Sequence, residues 1–282
     1  MVDREKQKGF CGADGIKIAK VMKHFWEEPL ISGTNGSGAI FFCYCSLKCI
    51  YCQNYQISHL GEGKQISIST LANLFQQIEQ SGAHNINLVS PTHYTNEIIS
   101  AIELYKPSIP VVWNTSGYES EETIQKLKNY VDIYLCDFKY FDEAIAKEYS
   151  LAPNYKENCT KAILQMRKNQ PNDIIENGIM KKGMIIRHLI LPTHQNDSKN
   201  ILRWIKEHLG QKTFISLMSQ YTPFYKAKNH PVLNRKIKPI EYKAVINEFL
   251  SLGFENGFSQ EYSSASCDYV PLFNSNDDDF RY

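Results

Sequence analysis

No run in this 282-residue sequence approaches the ~20 consecutive apolar residues needed to span a bilayer. The opening stretch, MVDREKQKGFCGADG, is charged where a secretory leader would be apolar. The chain reads as a soluble, cytoplasmic protein with no membrane partner. It also lacks a long basic run: 31 Lys and Arg stand against 30 Asp and Glu, for a net charge of +1, so no nucleic acid is indicated. Internal repeats and an interdomain linker are missing too. A chain of this length buries roughly 75% of its unfolded surface and needs no disulfide staples. Of its eight cysteines, those that cluster, in a reducing compartment, therefore point to metal binding or chemistry.

What is present is an alternation of short apolar runs with helical periods. The run AIFFCYC is followed by STLANLFQQIEQSG, where Leu71, Leu74, Phe75 and Ile78 recur at helical spacing behind a cap at Ser69 or Thr70. The pattern repeats as INLVS with TNEIISAIELY, VVWNT with SEETIQKLKNY, VDIYLCDFK with EAIAKEY, GMIIRHLIL with SKNILRWIKEHLG, and FISLMSQ with PIEYKAVINEFLSLG. Six such units predict an α/β fold, a full or partial (β/α)6 barrel with a parallel sheet covered by helices. Residues 39–270 form the barrel. Residues 1–38 are an extension entering it through a turn or hairpin at Asn35–Gly36, residues 151–182 are an elaborated crossover, and 271–282 are a polar tail.

Four cysteines crowd into ten positions of FFCYCSLKCIYCQNYQIS. Cys45, Cys49 and Cys52 make C-x3-C-x2-C, which lets three thiolates from one tight loop converge. A structural zinc takes four ligands, and no second C-x2-C or H-x3-H pair follows. Three thiolates suit an iron-sulfur cluster that keeps one iron open. Cys43, two residues before Cys45 on a strand, points to the same face about 6.6 Å away, near that cluster. Cys136 reads as a small core residue.

With Tyr51 at the aromatic position, this loop resembles the radical S-adenosylmethionine (radical SAM) signature C-x3-C-x-aromatic-C. Phe41, Phe42, Leu47, Gln53, Asn54, Ile57 and Ser58, with HFWEEPLISGTNGSG, SPTHYT, LMSQY and SQE, make it similar to proteins related to pyruvate formate-lyase activating enzyme. The resemblance implies the radical SAM form of a partial (β/α)6 barrel, with a [4Fe-4S] cluster on Cys45, Cys49 and Cys52. S-adenosyl-L-methionine would sit on the open iron, and its reductive cleavage would give a 5'-deoxyadenosyl radical that abstracts hydrogen. It implies a substrate protein such as a glycyl-radical enzyme, with a protein glycine as target, and a low-potential electron donor such as flavodoxin or ferredoxin. The alternatives are radical SAM catalysis on a small molecule and a non-catalytic iron-sulfur scaffold. The lack of further cysteines between Gln53 and Gln65 argues against auxiliary clusters there.

The resemblance and the strand ends nominate cofactor contacts, since ligands of parallel sheets bind at the carboxyl ends. Tyr51 belongs to the motif. Where the family has a glycine-rich segment, this chain has Ser90-Pro91-Thr92-His93, leaving the backbone and Thr92 for that role; His93 reads as a loop residue. Asn114 and Ser116 bind ribose or carboxylate, or form a turn. Asp137 and Lys139 share a face, and the related enzymes have a similar Asp-x-Lys with the lysine near the cofactor. Arg187 suits a carboxylate, either a ligand's or an internal one such as that of Asp137. Glu27 and Glu28 read as a solvated turn or a structural ion pair. The sequence assigns no catalytic residue.

Overall fold

The computed structural model describes residues 9–259 together with Phe273, Asp279 and Phe280. The expected tail at 271–282 lies largely outside these described residues.

The chain opens with β1 (Lys17–His24), a four-residue helix α1 (Pro29–Ser32) and β2 (Ser37–Phe42), then passes through α2 (Tyr55–Ser58) and β3 (Lys64–Gln65). Strand–helix units follow: α3 (Ile68–Gln80), β4 (Ile86–Val89), α4 (Thr95–Leu104), β5 (Val111–Thr115), α5 (Glu121–Lys126), β6 (Ile133–Asp137), α6 (Glu143–Ser150) and α7 (Tyr155–Asn169). The last elements are β7 (Ile174–Glu176), β8 (Ile179–Leu189), α8 (Gln195–Leu209), β9 (Phe214–Met218), α9 (Pro239–Ser251) and β10 (Gly257–Ser259).

The sheet runs β10-β9-β8-β6-β5-β4-β2-β1-β3. The six strands of the six expected units pair in parallel, and β1 pairs antiparallel with β2. No ladder joins β3 to β10 among the described residues, so the fold is an open, partial (β/α)6 barrel and not a closed one. The crossover between β6 and β8 carries α7 and the short β7–β8 hairpin.

Local chemistry explains the elements. Helix α3 is capped two or three residues earlier than expected, because the Ser67 hydroxyl accepts the Thr70 N–H at 3.0 Å. Its Leu71, Leu74, Phe75 and Ile78 are buried against the outer face of the sheet, each worth about 1.5–3 kcal/mol. Asp142 caps α6 through the N–H groups of Ala144 and Ile145, and Leu151, at φ 51°, ends it in the left-handed region.

Strand alternation sorts the barrel's two faces. Ile86, Leu88, Trp113, Tyr134, Cys136 and Ile186 join the core beneath the helices. The opposite face closes the interior with Val112, Ile133, Leu135 and Ile185, onto which Ile31 of α1 packs. Because β1 is antiparallel to β2 and His24 pairs with Ser37, the corner carrying Glu27, Glu28 and α1 lies under the amino-terminal end of the barrel.

Candidate active site

One cavity of about 350 Å³ runs through the barrel. At the carboxyl ends of the strands it is lined by Cys45, Cys49, Tyr51 and Cys52; deeper, by Asn114, Asp137, Lys139 and Arg187; at the far end, by Glu27 and Glu28.

The cysteine loop is fastened from two sides. The Lys48 and Ile50 N–H groups donate to the carbonyls of Ser150 (3.0 Å) and Tyr149 (2.8 Å) in the last turn of α6, and the Ile50 carbonyl accepts the Ala227 N–H at 2.9 Å. Burial pushes all three thiols above their ordinary value, Cys52 to about 12, and Cys49 further raises Cys45 and Cys52. Each sulfur has a polar group beside it: the Leu47 N–H at 3.4 Å from Cys45, the Ser150 hydroxyl at 2.9 Å from Cys49, and the Ser58 hydroxyl at 3.2 Å from Cys52.

Cys43 departs from the expectation. Tyr44 adopts φ 68°, which breaks the strand alternation that would have aligned residues 43 and 45. The Cys43 thiol instead donates to the Glu62 carbonyl at 3.1 Å and packs with Ala39, Phe41 and Ile57, without itself lining the cavity.

Deeper in the barrel a charged network is almost self-contained. Arg187 donates Nε to Asp137 at 2.7 Å, Nη1 to Glu27 at 2.9 Å and Nη2 to Asn114 at 2.6 Å. Lys139 Nζ donates to the other Asp137 oxygen at 2.7 Å, and Glu27 Oε1 accepts from Asn87 (3.2 Å) and Asn114 (3.1 Å). Burial alone would push the Asp137 carboxyl up, but Arg187 and Lys139 outweigh it and hold the group ionised. Burial likewise opposes the charge on Lys139, and Asp137 overrides it, so the ammonium persists. Glu28 is held less closely: Arg187 Nη1 is 3.9 Å away, and desolvation outweighs it and the Ser216 hydrogen bond, raising this carboxyl to about 7.

The structure gathers Tyr51, Asn114, Ser116, Lys139 and Arg187 at the cavity with the three cysteines. It does not gather Thr92, whose hydroxyl donates to buried Glu119 at 2.8 Å, alongside the Trp113 and Thr115 donors to the same oxygen. His93 is tied to the Cys43 carbonyl at 2.7 Å. Of the SPTH segment, Ser90 reaches the cavity, at φ 57°, a backbone conformation that favours glycine. Arg187 spends each nitrogen on an internal partner. Glu27, given no chemistry from the sequence, is the ion-pair partner that closes the network; the signal for it was the unbalanced charge of an arginine inside an apolar barrel.

A family model described as the Radical SAM superfamily matches residues 39–205, well over half of the chain. The protein belongs to the radical SAM superfamily. A Methanocaldococcus jannaschii protein named "Uncharacterized protein MJ0674" is 29% identical over 246 residues, which cover 84% of this chain and 68% of that protein. Among solved structures, Streptococcus suis SuiB superposes with a TM-score of 0.52 at 14% identity, over 78% of this chain and 47% of SuiB. The [FeFe]-hydrogenase maturase HydG gives 0.51 at 13%, over 76% and 48%, and anSMEcpe with bound AdoMet gives 0.51 at 13%, over 80% and 59%. This radical SAM chain thus spans about half the length of SuiB and HydG, and the likeness is one of fold.

Radical SAM proteins use a [4Fe-4S] cluster and S-adenosylmethionine, and the donor set here fits them. A cubane takes each thiolate on a different iron, which three thiols of one tight loop lining one cavity can supply. They bind as thiolates, so loading releases protons.

Proposed function

We propose that this radical SAM protein is an activating-enzyme-like oxidoreductase whose target is a glycine in a partner protein. The observation that carries the reading is the sharing of one cavity by Cys45, Cys49 and Cys52 with the charged group Asp137, Lys139 and Arg187. When bound, the cluster and S-adenosylmethionine supply the one-electron chemistry that generates a hydrogen-abstracting radical. The chain's own residues bind, orient and exclude water. Lys139 has three N–H donors and spends one on Asp137, leaving the others for the cofactor carboxylate. Asp137, held by Arg187, keeps that ammonium charged and in place. Ser116 supplies a hydroxyl at the strand end, its carbonyl anchored by the Tyr155 hydroxyl at 2.8 Å.

Support for a protein substrate comes from the motif resemblance in the cysteine loop. No helix among the described residues is long and apolar enough to cross a membrane.

The test is anaerobic reconstitution with S-adenosylmethionine, a chemical reductant and a candidate partner bearing a glycyl-radical domain. Formation of 5'-deoxyadenosine together with a glycyl-radical signal in the partner supports the reading. 5'-Deoxyadenosine without that signal moves the assignment to a small-molecule substrate, and a stable cluster with neither product moves it to a scaffold.

A further inference from the structure

The last turn of α6 does more than hold the cysteine loop. While its backbone takes the N–H groups of Lys48 and Ile50, the Ser150 side chain turns inward and donates to Cys49 Sγ at 2.9 Å. Ser150 is fully buried, so no water competes for that bond. Behind it stands a continuous line of hydroxyls: Ser150 Oγ is 2.6 Å from Tyr140 Oη, which is 2.5 Å from Tyr51 Oη. With the serine proton committed to sulfur, Tyr140 donates to Ser150 and Tyr51 donates to Tyr140. The three bonds therefore run head to tail and end on Cys49, an arrangement in which each bond polarises the next. Tyr51, the aromatic residue between the second and third cysteines, is thus connected through two other elements back to the second.

Cys52 has an equivalent donor. The Ser58 hydroxyl lies 3.2 Å from its sulfur at the end of α2, and a thiolate there leaves the hydroxyl as the donor. The Lys48 ammonium, 3.3 Å from the Ser58 carbonyl, helps fix that turn. Cys45 receives only the longer backbone contact from Leu47 at 3.4 Å.

We propose that Ser150, backed by Tyr140 and Tyr51, and Ser58 are positioning residues that set the reduction potential of the cluster held by Cys45, Cys49 and Cys52. This rests on the reading of that triad as the cluster site. A hydrogen bond to a cluster sulfur draws off negative charge and favours the reduced state, so each donor raises the potential and its loss lowers it. Unequal donation also makes the three cysteine-bound corners inequivalent, with Cys45 the most electron-rich.

The experiment is a redox titration of reconstituted protein, followed by the signal of the reduced cluster, with iron content measured in parallel. Ser150→Ala and Ser58→Ala shift the midpoint to more negative values, up to a tenfold loss of reduced cluster at a fixed donor potential, about 59 mV for one electron. Tyr140→Phe and Tyr51→Phe shift it the same way by less. Ser150→Ala combined with Tyr51→Phe shifts it no further than Ser150→Ala alone, whereas Ser150→Ala with Ser58→Ala adds. Ser150→Thr, which keeps the hydroxyl, restores the wild-type value. Wild-type potentials in both alanine variants at full iron content overturn the proposal. If Ser150→Ala holds no iron, Ser58→Ala and Tyr140→Phe decide it in the same way. Absence of a four-iron cluster in the wild type would instead overturn the triad assignment itself.

Discussion

Arg187 and Asp137 are register partners on adjacent parallel strands, with guanidinium Nε and carboxylate Oδ1 2.7 Å apart inside the barrel. The same guanidinium reaches 160 residues back in sequence to Glu27, so one side chain ties the wall of the barrel to the corner beneath it. Arg187→Met leaves the partly buried Glu27 carboxylate without its cation and Asp137 with Lys139 alone, and removal of one member of a buried ion pair typically costs about 3–5 kcal/mol. Urea unfolding measures it. A loss under about 1 kcal/mol would show that the network contributes little, while Arg187→Met with Glu27→Gln should recover part of the deficit because the orphaned charge is gone.

Anaerobic reconstitution is expected to load about four irons per chain. Cys45→Ala, Cys49→Ala and Cys52→Ala each lose the cluster, and S-adenosylmethionine cleavage with it. Cys43→Ser keeps both, since its thiol serves only the Glu62 carbonyl, a bond that serine can replace. Iron analysis of the four variants separates the cysteines, and loss of iron from Cys43→Ser would return that residue to the ligand set.

The strand–helix alternation was legible because each of the six parallel strands is a short apolar run buried on both faces. Register then followed from period two: Asn114, Asp137 and Arg187 interrupt apolar strands at inward positions, and those interruptions are the site. Thr92 and Cys43 were misplaced for local backbone reasons. Ser90 and Tyr44 both adopt positive φ, at 57° and 68°, so alternation fails just past the strand ends where it was extrapolated. Glu27 could not be placed from its neighbours in sequence, because its role is set by contacts with β4, β5 and β8. Ser150 was invisible for the same reason: nothing in EAIAKEYS distinguishes a helix-terminal serine that meets solvent from one that meets a sulfur 101 residues away in sequence.

Lys139→Ala tests the proposed cofactor contact. Loss of a charge-assisted hydrogen bond costs about 1.5–3 kcal/mol, so affinity for S-adenosylmethionine should fall about ten- to hundredfold while iron content stays at the wild-type level. Calorimetry on the reconstituted protein reads the affinity. Unchanged binding would confine Lys139 to its pairing with Asp137.

Glu28 makes a prediction about pH. Desolvation is the first cause of its raised carboxyl, at about 7 in the folded chain against an ordinary value of 4.5, with Arg187 opposing and Glu27 reinforcing the shift. The folded state therefore binds this proton more tightly than the unfolded state does. Below about pH 4.5 both states are protonated and the group has no effect on stability. As pH rises from 4.5 to 7 the unfolded chain releases the proton first, and folding loses about 1.4 kcal/mol for each unit of that window; above 7 the deficit is complete and constant. Glu28→Gln keeps the shape and cannot ionise, so relative to wild type its stability should improve progressively between pH 4.5 and 7 and hold a fixed advantage above. Paired urea titrations at pH 5, 6, 7 and 8 give the difference curve. A flat difference would mean that Glu28 titrates as an ordinary solvated carboxyl, and an advantage growing as pH falls would reverse the sign and place an unseen cation beside it.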